Sequence, residues 1–72
     1  MTIKTLIYIH NALIEKEKAC RTSVEILRKA RNQAEYDESD NFKDLCEAYT
    51  KVWNSWVEAE AALREFEEKE WN

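Results

Sequence analysis

The chain has 72 residues, with 11 basic and 15 acidic side chains, a net charge of −4, 44% apolar positions and neither glycine nor proline. The length sets a limit of one small domain, the apolar fraction excludes a disordered chain, and the acid excess speaks against a surface made for nucleic-acid phosphates. Glycine and proline normally supply roughly seven and five per cent of residues and punctuate helices and turns; a chain lacking both is expected to be all-α.

The first predicted element spans about residues 3–36. Apolar residues recur there on a three-four spacing: Ile3, Leu6, Leu13, Cys20, Val24, Leu27 and Ala34, with His10, Glu17 and Arg31 as polar entries in the same stripe. This is heptad patterning, the signature of helices packed nearly parallel or antiparallel. The apolar run Leu6 to Ile14 is interrupted by His10 and Asn11 and runs into Glu15-Lys16-Glu17-Lys18 without a small-residue cleavage pattern. It resembles a signal-peptide core only weakly and falls short of the roughly 18 apolar residues of a membrane span.

An acidic stretch follows, Glu35-Tyr36-Asp37-Glu38-Ser39-Asp40-Asn41, rich in residues that favour caps and turns. Negative charge is stabilised at a helix start and not at a helix end. The turn is therefore placed at about 37–40, with Ser39, Asp40 or Asn41 as the cap of the next helix. Nothing in the stretch forbids one unbroken helix outright.

The second predicted helix runs from about 40 to 71. Its stripe is Phe42, Leu45, Tyr49, Val52, Trp56, Ala59, Leu63 and Phe66, displaced by one position from the heptad register of the first. Charge favours folding the two together. Residues 1–36 carry seven basic and four acidic groups, a net of +3, whereas residues 37–72 carry four and eleven, a net of −7. Each surface pair contributes only tenths of a kcal/mol, yet charge sets partner and orientation. The expectation is a long antiparallel two-helix hairpin, coiled-coil-like, with opposed residue numbers summing to about 76. That register sets Cys20 opposite Trp56 and His10 opposite Phe66, and holds Cys20 about 15 Å along the axis from Cys46, too far for a disulfide. The two cysteines are read as reduced, and the protein as soluble and cytoplasmic with no membrane partner.

The apolar arc is wider than one seam. Ile3, Ile7 and Ile14 flank it on the first helix, and Cys46, Trp53, Val57 and Trp71 on the second. Trp53 and Trp56 lie about 60° apart on a helical wheel, so one seam does not bury both. Ile3, Ile7, Ile14, Trp53, Val57 and Trp71 are accordingly the predicted interface, and self-association into a dimeric four-helix bundle the predicted outcome.

No residue pattern carries catalysis. His10 is the lone histidine, and no Glu stands three residues before it, as a carboxylate-bridged metal bundle requires. Two cysteines without a neighbouring histidine form no thiol nucleophile or zinc site. No enzyme activity, cofactor or metal is expected. Phe42, Tyr49, Trp53, Trp56 and Phe66 have the spacing of a core rather than of a base-stacking platform. Arg31 is within reach of Asp44, Glu47 or the linker acids, and Glu17 of Lys16 or Arg21. Trp71 is placed to close the hairpin end against Ile3 and Ile7, or to anchor a partner.

The leading functional expectation is a small protein–protein interaction or adaptor module, of phage or mobile-element type by its size. The alternative is an acidic inhibitor that mimics nucleic-acid phosphates through Glu65, Glu67, Glu68 and Glu70 and blocks a basic site on a host protein. A further alternative is RNA binding across a dimer face, comparable in architecture to a ROP-type hairpin dimer, through Lys16, Lys18, Arg21, Arg28, Lys29 and Arg31.

Overall fold

The computed structural model describes residues 1–71. The fold is all-α: α1 (Ile3–Tyr36), α2 (Phe42–Phe66) and a five-residue π-helical turn, Glu67–Trp71, with no strand among the described residues. The molecule measures 53 × 15 × 14 Å. At about 1.5 Å per residue, the 34 residues of α1 account for nearly all of the long dimension. The second helix therefore lies beside the first, and the chain is a hairpin.

α1 starts on a cap that periodicity alone does not reveal. Thr2 is extended, and its hydroxyl accepts from the Thr5 backbone N–H at 3.2 Å. This satisfies one of the orphan donors of the first turn. The same two threonines share a hydroxyl–hydroxyl hydrogen bond of 3.0 Å.

Burial follows the heptad stripes. Val24, Ala34 and Ala59 are buried, while Leu6, Leu13, Cys20 and Leu27 of α1 are half-buried against Leu45, Tyr49, Val52, Trp56 and Leu63 of α2. Ile3 departs from its stripe and is 74% exposed, because it sits in the first turn of α1 at the open end. Two helices offer each large side chain only one neighbouring surface. No large side chain is fully buried.

The reversal is a Schellman motif with an unusual occupant. Ser39 N–H donates to the Ala34 carbonyl at 2.9 Å and Glu38 N–H to the Glu35 carbonyl at 3.2 Å, the paired 6→1 and 5→2 bonds of that motif. Between them Glu38 adopts φ 53°, the left-handed region where Cβ crowds the backbone and glycine is preferred. With no glycine in the chain, a glutamate takes the position. Ser39 belongs to this closure, so it caps the first helix rather than starting the second. α2 consequently begins at Phe42 behind Asn41, two residues later than the sequence places it. The Asn41 side chain makes no cap bond to the helix; it accepts from the Ser39 hydroxyl at 2.6 Å.

Replacing Glu38 by glycine removes the left-handed penalty but loosens the unfolded chain. The penalty is the larger of the two, so Glu38→Gly is expected to stabilise the fold by about 1 kcal/mol, or roughly 4–8 °C in melting temperature. Thermal and urea melts at a matched protein concentration check this; a lower midpoint would mean that Glu38 is held by something other than backbone geometry.

Candidate interaction surface

The open end of the hairpin is closed by a cluster around His10. Its imidazole lies between two aromatic rings, Phe66 at 5.8 Å and 19°, and Trp71 at 4.8 Å and 28°. The Nε2–H donates to Glu67 Oε2 at 2.8 Å; a carboxylate only accepts, so this bond fixes the ring proton on Nε2. The cluster accounts for the end of α2. In an α-helix of 3.6 residues per turn, position 71 would swing well past the seam that Phe66 faces. Widening the last turn to the π pattern delays that rotation and sets Trp71 on the imidazole while Glu67 reaches Nε2. Helical structure thus runs to Trp71, with its last turn in the π form.

The cluster involves two residues singled out from the sequence. Trp71 packs on His10 and Phe66 and is still 44% exposed. Glu67 accepts the His10 bond with one oxygen while 43% of its side chain stays exposed. Glu65 pairs with Lys69 at 2.7 Å. That hydrogen bond and the adjacent charge lower the Glu65 carboxyl from its ordinary value and raise the Lys69 ammonium. The pair's contribution is thus complete near neutrality. It is lost in acid as pH falls through the lowered carboxyl value, and in base as pH rises through the raised ammonium value. Both groups are fully exposed, so the effect on stability is small. Glu68 and Glu70 remain exposed on the acidic run.

Along the seam, two polar entries find partners on α2. Trp56 Nε1–H donates to Glu17 Oε1 at 3.2 Å, and Arg21 stands 3.7 Å from the other carboxylate oxygen. The Glu17 side chain is 14% exposed, so one carboxylate serves the cross-helix indole and the neighbouring guanidinium together. Arg31 does not go to Asp44, Glu47 or the linker acids. Its guanidinium carbon stands 4.5 Å above the Tyr49 ring, a cation–π contact that keeps the long stem over apolar surface. Tyr49, Trp53 and Trp56 continue this as an aromatic ladder, with centroid spacings of 6.2 and 5.1 Å.

The predicted interface residues are mostly uncovered. Trp53 is 41% and Val57 46% exposed; Ile7 is also exposed, and Ile14 is half-buried. Ile7 and Ile14 each directly follow a seam residue of α1, as Cys46 and Trp53 do on α2. In an antiparallel pair, positions displaced in the same rotational sense from each seam share one side of the hairpin. These four therefore form a single face, with Val57 at its edge. The opposite side carries Ile9, Lys16, Ser23 and Ala30 of α1 and Ala48, Ser55 and Ala62 of α2 in the corresponding places, with one large apolar residue among them. The asymmetry between the two sides is legible in the heptads only once both helices are known to be antiparallel.

The basic positions of α1 are partly engaged within the chain: Arg28 pairs with Glu25 at 2.6 Å, Arg21 with Glu17, and Arg31 with Tyr49. Cys20 and Cys46 are free thiols. Among the described residues, no group of three His, Cys, Asp or Glu side chains is disposed to hold a metal ion, and no helix is long and apolar enough to cross a membrane. No protein-family model, curated protein or solved structure matches the chain.

His10→Ala removes two ring contacts and one charge-assisted hydrogen bond together. It is expected to cost about 2 kcal/mol of stability and to strip amide-exchange protection from residues 67–71 more than from the centre of α2. Unchanged protection in the π-helical turn would show that His10 does not hold it.

Proposed function

We propose that the protein is a non-catalytic interaction module that acts by self-association, two hairpins forming a four-helix bundle. The observation that carries this reading is the apolar face of exposed Ile7, Trp53 and Val57, with half-buried Ile14 beside them, on a hairpin whose own core is three small buried residues. Small domains of this length usually require a further source of burial. The Trp53 indole is large enough to anchor an interface, and aromatic anchors dominate binding energy when fully desolvated. The free thiols are in keeping with the reducing, cytoplasmic setting this reading supposes.

The acidic-inhibitor reading has less to draw on than the sequence offered. Glu67 is hydrogen-bonded to His10 and Glu65 is paired with Lys69, so two of the four carboxylates already have partners within the chain. For RNA binding, Arg21, Arg28 and Arg31 already have partners within the chain, which leaves Lys16, Lys18 and Lys29 to carry that reading.

Trp53→Lys combined with Val57→Lys places two charges on the face and leaves every seam residue in place, at the loss of the Trp53 ring contacts with Tyr49 and Trp56. The expected result in sedimentation equilibrium is a shift from twice the 8.6 kDa chain mass to the monomer, with helical circular dichroism largely kept. Retention of the dimer mass by this variant would remove the face from the interface.

A further inference from the structure

We infer that the occupant of this face is a second copy of the chain, aligned with both hairpin tips at the same end, so that α1 of each copy lies against α2 of the other. This rests on the self-association proposed above and specifies its geometry.

Two two-fold arrangements bring the face onto itself. An axis across the helices points the tips in opposite directions and stacks like helices, α1 on α1 and α2 on α2. An axis along the helices keeps the tips together and stacks unlike helices. The first places α1, of net charge +3, on itself and α2 with its terminal turn, residues 42–71 of net charge −4, on itself; the second pairs opposite net signs. Long-range charge of this kind selects orientation even where individual pairs are weak.

The surface relief agrees with the second arrangement. Two shallow depressions lie along α2, one lined by Val57, Glu60, Ala61 and Arg64, the other by Cys46, Glu47, Thr50 and Lys51. The first set, at i, i+3, i+4 and i+7, is the four-residue diamond that receives one knob from a facing helix; the second, at i, i+1, i+4 and i+5, is a notch toward the outer side of α2 beside Glu47. An axis along the helices preserves height, so a residue of α1 faces the same level of the other copy's α2 as of its own. That level is fixed by His10 against Phe66, where the numbers sum to about 76. Ile14 then arrives at the Val57–Arg64 depression and Arg28 at the Cys46–Lys51 depression, beside the Glu47 carboxylate. Arg21 reaches Trp53, where a guanidinium can lie on the indole. Ile14, Arg21 and Arg28, one heptad apart on one side of α1, thus meet a hole, an aromatic and a carboxylate in order.

The test is a distance between the two tips, read with the mass. Tyr36 is 86% exposed beside the reversal; Tyr36→Cys in a Cys20→Ala, Cys46→Ala background carries one spin label per chain. Sedimentation equilibrium of the labelled protein gives its mass, and pulsed electron resonance gives the separation of the labels. The expected result is a dimer with labels within about 30 Å, two hairpin widths plus tethers. A dimer whose labels lie near the 53 Å length of the molecule overturns the alignment and leaves self-association standing. A folded monomer, for the labelled and the natural chain alike, overturns both.

Discussion

The feature on which the rest depends is that each helix has one neighbour only. A seam between two helices covers a narrow stripe of each, and burial at roughly 25 cal/mol per Å² of apolar surface is the main favourable term available to a chain this short. Val24, Ala34 and Ala59 disappear from solvent because they are small enough to sit directly between the backbones. Every larger side chain keeps one flank wet. The polar residues of the seam are adapted to that condition: Glu17 takes the Trp56 indole N–H, Arg31 lies on Tyr49, and His10 is held between Phe66 and Trp71. Each satisfies a polar edge at the margin of an apolar contact rather than inside one.

The two ends of the hairpin are closed by different means, and neither uses the residues that usually do this work. At the tip, the Schellman bonds are made with Glu38 in the left-handed region. At the open end, the last turn of α2 widens so that Trp71 and Glu67 both reach His10. In each case a local backbone preference is overridden by contacts that satisfy more groups than regular geometry would. The hairpin is thereby fixed in register at both ends, which is what makes its exposed face a defined surface.

The stripes that meet in the seam were legible in the sequence, because a three-four spacing marks one apolar face on each helix. The level of His10 against Phe66 followed from the same pattern. Three things did not. The Thr2 cap stands outside the apolar pattern. The start of α2 depended on which helix Ser39 would serve, and composition favours both. The π-helical turn arises from Trp71, His10 and Glu67 acting together across 57 to 61 positions of chain, a separation no local signal spans. Arg31 shows the same limit: acids lay within reach in the linear register, but the nearer aromatic face of Tyr49 took the guanidinium.

The central claim is that α2 folds back along α1 within one chain. Spin labels at Tyr8 and Arg64, introduced as cysteines in a background free of Cys20 and Cys46 and diluted with unlabelled protein, measure this directly. The fold predicts a separation below about 30 Å, one hairpin width plus the label tethers. An uninterrupted helix would place the same labels about 85 Å apart at 1.5 Å per residue, and that result would contradict the account at its root.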